Sequence, residues 1–394
     1  MKKVLFVIDS LSSGGAEKSL VSLLSLLDHK KYSVDLLMFS PKGLYLPLLP
    51  KEINVLEVPK FIKIQNNNIT YLIKNKNFKE LYLRFGASFS LRNPLTKKKM
   101  HSAQINWRWM SKGIEKLNKK YDIAIAYSQG TPTYFVVEKV DAAKKICWVN
   151  TDYKKASYNK AFDAKYYNQY EHVIAVSDHN KEVFINEMSN AKEKTTVIYD
   201  IVSPKLIKSM STNNGGFQDG FDGIRILTIG RLVDVKGYDM AIEACYKLKK
   251  QGYKFRWYVI GEGTLKSKLQ NMVREFQLED TFIFLGTFQN PYVFLKQCDI
   301  YVQPSRFEGY GLAIAEAKIL QRPIVATNFT VIHNQIQNRK NGLIVNMNAE
   351  GICQGIKEVI EHKNLREYFY KNLSAEDVGT EEEINKVCCL IENV

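Results

Sequence analysis

The sequence predicts an α/β protein built from two Rossmann-like, doubly wound parallel-sheet domains. Three observations carry that expectation. The length of 394 residues suits two domains at roughly 100–200 residues each. Short branched apolar runs alternate with stretches of helical apolar spacing through both halves. A segment at 209–223, poor in aliphatic residues and dense in Gly, Asn, Ser and Asp, divides the halves.

Taken in order, residues 3–8 form the branched apolar run of a buried parallel strand, and 9–15 read as a loop. Over 16–27, leucines at 20, 23, 24 and 27 mark one helix face. Residues 32–39, 122–127, 145–149 and 172–176 read as further strands between helical stretches. The theme restarts with a strand at 225–229, a loop at 230–237 and a helix at 238–250. Strands follow at 257–260, 282–285, 300–302, 323–326 and 343–345. The expected domains are therefore 1–208 and 224–376, joined by a linker at 209–223. A helix over 377–394 is a candidate to pack back on the first domain. Two such domains leave a cleft between them, and open α/β sheets bind ligands at the carboxyl ends of their strands. Both first loops are expected to face that cleft.

Composition narrows the class. With 45% hydrophobic and 12% aromatic residues, the chain is neither disordered, collagen-like nor a disulfide scaffold. No apolar run approaches the ~18–20 residues that cross a bilayer. The N-terminal run stops at Asp9, short of the ~7–15 apolar residues of a signal peptide. The six cysteines contain no CxxC and read as free thiols in a reducing compartment. A soluble cytoplasmic protein is expected.

The net charge of +15 is uneven. Residues 60–120 hold 15 Lys and Arg against Glu80 and Glu115, an excess of +13 that accounts for the whole excess of residues 1–200. Aromatics interleave with that charge (Tyr71, Phe78, Tyr82, Phe85, Phe89, Trp107, Trp109), and Lys97, Lys98 and Lys99 form a cluster. This pattern suits an anionic membrane surface. It also fits a solvated basic face over core aromatics. Nucleic acid is disfavoured, because no nucleic-acid module is recognisable.

Three segments carry chemistry. Ser12-Ser13-Gly14-Gly15-Ala16-Glu17 ends a strand and opens a helix, which suits an anion site. The spacing fits a simple tight turn equally well, and neither GxGxxG nor a P-loop lysine is present. Gly230-Arg231-Leu232-Val233-Asp234-Val235-Lys236-Gly237 places a guanidinium and an ammonium at a strand end. Together they suit a diphosphate; alone, the segment also reads as a surface turn. Glu308-Gly309-Tyr310-Gly311-Leu312-Ala313-Ile314-Ala315-Glu316 is the most informative. With a helix starting near Leu312, the N–H groups of 309–312 sit at a helix N-terminus that can hold an anion. Glu316 then lies one turn inside, between Ile314, Ala315 and Ala317, an apolar setting that argues against a solvated acid.

Gly-Gly-Ala-Glu near the start, Gly-Arg-Leu-x3-Lys-Gly, and the Glu-x7-Glu of Glu308 and Glu316 together resemble the family 4 (group 1) retaining glycosyltransferases of the GT-B fold. The resemblance is strongest over 224–346, and within the family it points to bacterial capsule and exopolysaccharide enzymes. It implies a nucleotide-sugar donor, a UDP-sugar, and a glycan acceptor linked to a lipid pyrophosphate. By position, Arg231 and Lys236 would hold the diphosphate, Glu316 the ribose hydroxyls, and Glu308 the donor sugar. The backbone of Gly309, Tyr310, Gly311 and Leu312 would bind sugar and phosphate. Gly14 and Gly15 would face the phosphates from the other domain, and Phe288 would lie at the base pocket. Where many members carry a His after the strand ending at Val149, this chain has Asn150, with Asp152 close by as an acceptor-side carboxylate or a structural one. No Asp-x-Asp occurs, so no metal is expected to be required and no other cofactor is implied. The expected location is the inner face of the cell membrane, held peripherally. Two other classes compete: a non-catalytic nucleotide-sugar binder that partners another transferase, and a GT-B nucleotide-sugar epimerase.

Overall fold

The structure, a computed structural model, describes residues 1–12 and 14–392. It divides into two compact units. One is built on Met1–Ser12, Ala16–Asp200 and 382–392, the other on Gly14, Gly15 and Ile201–Glu381.

The first unit holds a seven-stranded sheet of β1 (Lys2–Ile8), β2 (Tyr32–Met38), β3 (Asn54–Val55), β4 (Lys120–Ala126), β5 (Asp141–Val149), β6 (His172–Ala175) and β7 (Thr195–Val197). All pairings are parallel, in the order β3-β2-β1-β4-β5-β6-β7. Val4 of β1 lies opposite Val34 of β2 and Ile123 of β4. Strands buried on both faces need near-continuous apolar sequence, and residues 4–8 of β1 are all buried. The two strands that the sequence pattern did not reveal, β3 and β7, are edge strands of two and three residues. Five helices lie between β3 and β4: Lys60–Gln65, Ile69–Lys74, Phe78–Arg92, Pro94–Lys99 and Ser102–Met110. The helix Glu383–Glu392 packs onto this unit. Lys2 Nζ donates to the carbonyls of Ile391 (3.1 Å) and Glu392 (2.9 Å), while Val387 and Ile391 are fully buried.

The second unit holds a six-stranded parallel sheet of β8 (Ile224–Ile229), β9 (Phe255–Ile260), β10 (Phe282–Gly286), β11 (Ile300–Gln303), β12 (Ile324–Thr327) and β13 (Leu343–Val345). Their order is β10-β9-β8-β11-β12-β13.

The 209–223 segment is not a linker. It belongs to the second unit, whose bounds fall at 200/201 and 381/382 rather than at 208 and 376. Its turn-forming residues carry apolar anchors: the Phe217 ring packs on Tyr258 (4.4 Å between centroids) and Phe294 (5.1 Å). Asp219 accepts from Arg225 (3.0 Å), Arg256 (2.8 Å) and Tyr258. Burial pushes the Asp219 carboxyl up, but these donors outweigh it and hold it well below the usual range. All six cysteines are free. Among the described residues, no helix is long and apolar enough to cross a membrane.

Candidate active site

The strand order of the second sheet reverses between β8 and β11, where Ile226 pairs with Ile300 and Leu227 with Tyr301. At such a switch point the loops leaving the two carboxyl ends diverge and open a crevice. The loops here are 230–237 after β8 and 304–311 after β11. Gly237 takes a left-handed conformation (φ +65°), and a Cβ there would lie 2.0 Å from the Pro304 carbonyl oxygen. The two loops can approach this closely only with glycine. Arg306 fastens them, donating to both carboxylate oxygens of Asp239 (2.8 and 2.5 Å) and to the Asp234 carbonyl (2.9 Å).

This approach brings Lys236 onto Glu308. Lys236 Nζ lies 2.7 Å from each Glu308 carboxylate oxygen, and Glu308 is 8% exposed. A buried carboxylate needs its lone pairs filled, and two further donors fill them: Ser305 Oγ (2.6 Å) and Gln303 Nε2 (2.9 Å), both to Oε1. Tyr301 OH in turn donates to Gln303 Oε1, and Thr327 Oγ1 on β12 holds the Ser305 carbonyl (2.5 Å). Residues 303 and 305 went unnoticed in the sequence. Their signal was a polar Gln-Pro-Ser directly after the apolar run of β11.

The helix Leu312–Ile319 begins where the spacing predicts. Gly311 precedes it at φ +89°, and Gln335 Nε2 donates to the Tyr310 carbonyl of the bend. The N–H groups of Gly309, Gly311 and Leu312 find no acceptor among the described residues. They are free to bind an anion, with the helix dipole behind them. Glu316, one turn in, is 2% exposed and accepts from Tyr292 OH at 3.2 Å. Arg231, by contrast, is exposed, with no ion pair or side-chain hydrogen bond among the described residues. Phe288 packs against Phe294 (4.5 Å between centroids) and lines a cavity of about 620 Å³. Residues 213–219 line the same cavity.

Of the remaining expected residues, Asn150, Asp152 and Lys97, Lys98 and Lys99 lie in the first unit, whereas Gly14 and Gly15 group with the second. Gly15 starts the helix Gly15–Leu26 and Gly14 directly precedes it, while Ser13 lies outside the described residues. Asn150 follows β5, and both its amide oxygen and nitrogen are buried without a hydrogen-bond partner among the described residues. An unpaired buried amide is costly, of the order of 1–3 kcal/mol. Asp152 is 5% exposed; it accepts from the Lys155 N–H (3.0 Å), and His179 Nε2 lies 3.8 Å away. The structure places His179 beside Asp152, because β5 and β6 are neighbours and Ser177-Asp178-His179 follows β6 as Asn150-Thr151-Asp152 follows β5. Lys97, Lys98 and Lys99 are exposed on Pro94–Lys99.

The family described as "Glycosyl transferases group 1" matches residues 220–375, the span that contains Arg231, Lys236, Glu308 and Glu316. A Campylobacter jejuni protein, N-acetylgalactosamine-N,N'-diacetylbacillosaminyl-diphospho-undecaprenol 4-alpha-N-acetylgalactosaminyltransferase, is 24% identical over 379 residues. The alignment covers 94% of this chain and 93% of that one. An Escherichia coli K12 protein, the putative colanic acid biosynthesis glycosyltransferase WcaL, is 32% identical over 140 residues, 33% of this chain and 34% of its own. Among solved structures, Anabaena HepE in complex with UDP and glucose superposes with a TM-score of 0.70 at 18% identity, covering all of both chains. Two parallel Rossmann-like sheets and the likeness to HepE place the chain in the GT-B type of fold, and residues 220–375 match the family of group 1 glycosyl transferases.

Proposed function

We propose that this chain transfers a sugar from a UDP-sugar to a lipid-linked glycan acceptor, with retention of anomeric configuration, during assembly of a bacterial surface polysaccharide. The observation that carries the reading is the Lys236–Glu308 pair beside the unpaired N–H groups of Gly309, Gly311 and Leu312. An ammonium and a helix N-terminus converge there on one small volume, the arrangement a diphosphate needs. The relative from C. jejuni, whose name specifies a diphospho-undecaprenol acceptor, and the UDP bound to HepE support the two substrate classes.

In this reading Lys236 and the exposed Arg231 neutralise the diphosphate, so that no metal ion is required. The N–H groups of 309–312 bind phosphate and sugar oxygens. Glu316 accepts from the ribose hydroxyls, Phe288 borders the base, and Glu308 faces the donor sugar. The C1–phosphate bond breaks as the acceptor hydroxyl oxygen bonds to C1 from the same face. The acceptor proton passes to the departing diphosphate oxygen, so no side-chain base is needed. Fixed positive charge at the leaving group stabilises the negative charge that develops there. Asn150, with its unpartnered amide, supplies a hydrogen bond to a sugar hydroxyl, and Asp152 orients His179 on the acceptor side.

The test is transfer from a panel of UDP-sugars to a synthetic polyprenyl-diphosphate glycan, with the product linkage read by NMR. Extension by one residue with the donor's anomeric configuration is expected. An inverted linkage would remove retention, and conversion of the donor sugar to an epimer instead of transfer would replace the reading with the epimerase.

A further inference from the structure

Between β3 and β4 the chain builds a helical subdomain whose outer surface is apolar and basic at once. The helix Phe78–Arg92 has two distinct faces. Its inner face presents Leu83, Gly86 and Ser90 to the protein. A Cβ on Gly86 would lie 2.4 Å from the Trp109 ring, and Trp109 Nε1 donates to Ser90 Oγ at 3.0 Å. Its outer face carries Phe78, Tyr82, Phe85 and Phe89, spaced i, i+4, i+7, i+11 as a single stripe. These four rings are between 54% and 74% exposed. The neighbouring short helices add Ile69, Tyr71, Ile73 and Leu95, all exposed. A cluster this dense is unlike the scattered apolar residues of an ordinary surface.

Charge surrounds the stripe. Residues 60–110 hold eleven Lys and Arg and one acid, Glu80. Lys74, Lys76, Lys79, Arg92, Lys97, Lys98 and Lys99 are all exposed, and none pairs with an acid among the described residues. Folding has left this basic charge without an internal partner, next to rings without a covering layer.

We propose that this face, the aromatic stripe of Phe78–Arg92 with its flanking lysines, is the surface by which the chain docks on an anionic lipid bilayer. The rings enter the interfacial zone and the ammonium groups meet lipid phosphates, the two contributions that together fix a peripheral protein to a membrane. A protein partner would require complementary acidic side chains in a matching apolar groove; a phospholipid surface supplies both features anywhere. The inference deepens the reading of a lipid-linked acceptor and fails separately from it, because it concerns partition to lipid and not sugar transfer.

The experiment is co-sedimentation of the full chain with vesicles of phosphatidylglycerol in phosphatidylcholine, against phosphatidylcholine alone, over a salt series. The wild type is expected to bind the anionic vesicles, more weakly as salt rises. Replacing Phe78, Tyr82, Phe85 and Phe89 together by serine is expected to lower partition about a hundredfold or more. The single change Phe85→Glu places a charge mid-stripe at an exposed position and is expected to lower it about tenfold. Converting Lys97, Lys98 and Lys99 to glutamine is expected to lower it by up to about a hundredfold and to flatten the salt dependence. Donor hydrolysis in solution should persist in the stripe variants, which reports that they fold. Unchanged partition in the four-ring and Phe85→Glu variants would overturn the proposal. So would a wild type that is dimeric without vesicles and becomes monomeric on the same substitutions, since the stripe would then be a contact between copies.

Discussion

Replacing Lys236 with alanine removes the ammonium from which both oxygens of Glu308 accept at 2.7 Å. The carboxylate stays behind, 8% exposed. Stranding a buried charge by deleting its partner costs about 3–5 kcal/mol. Here Ser305 Oγ at 2.6 Å and Gln303 Nε2 at 2.9 Å remain, which brings the expected cost to the lower end, about 2–3 kcal/mol. For a unit of this size each kcal/mol moves Tm by about 2–4 °C, so the second unit should melt about 5–10 °C lower. Adding Glu308→Gln neutralises the stranded charge while Ser305 can still donate to the amide oxygen. The double variant should recover at least half of the lost stability. Donor turnover should not recover, because the cation that neutralises the diphosphate is gone; a loss of about a hundredfold or more is expected in both. Calorimetry on the two single variants and the double, with donor hydrolysis alongside, makes the measurement. A double variant melting no higher than Lys236→Ala would show that the pair is not coupled.

Three other outcomes follow from the same geometry. Gly237→Ala puts a Cβ 2.0 Å from the Pro304 carbonyl at φ +65°; it should cost about 2–4 kcal/mol and lower donor turnover, and an unchanged melt would contradict the close approach of the loops. Burial pushes the Asp200 carboxyl up from 3.8 to about 7, opposed by Ser19 and assisted by Glu17. Because its folded pKa is raised, the stability it permits is fully present below about pH 4 and declines as pH rises through 7. Asp200→Asn should therefore raise Tm at pH 8 by up to about 4 kcal/mol worth of stability and leave it unchanged at pH 4, and an equal gain at both would rule out this titration as the cause. Exhaustive chelation should leave donor turnover unchanged, whereas a collapse reversed by Mg²⁺ or Mn²⁺ would assign the diphosphate charge to a metal.

Eleven of the thirteen strands among the described residues are legible in the sequence, because strands buried on both faces leave continuous apolar runs. The two exceptions, β3 (Asn-Val) and β7 (Thr-Thr-Val), are short edge strands without an apolar run, unlike the equally short Leu-Ile-Val of β13. The helix start at Leu312 and the burial of Glu316 were also legible, from Gly311 and the flanking Ile and Ala residues. The Lys236–Glu308 pair was not. Its members are 72 residues apart and meet only because β8 and β11 are neighbours, a long-range pairing that local spacing does not encode. The same holds for His179 and Asp152, joined through β5 and β6. The 209–223 segment misled in the opposite direction. Its turn formers signalled a linker, while its energetics lie in Phe217 and Asp219, two residues with partners far along the chain.

In the proposed function, Glu316, Lys236, Glu308 and the N–H groups of 309–312 form one donor site in the second unit. Mass-spectrometric detection of free sugar released across a panel of nucleotide sugars, with wild type and Glu316→Gln side by side, tests it most directly. Slow hydrolysis of one UDP-sugar by the wild type is expected, reduced by orders of magnitude in the variant at an unchanged melting temperature. Equal hydrolysis by both, or nucleotide binding without hydrolysis of any donor even when acceptor is supplied, would contradict that donor site.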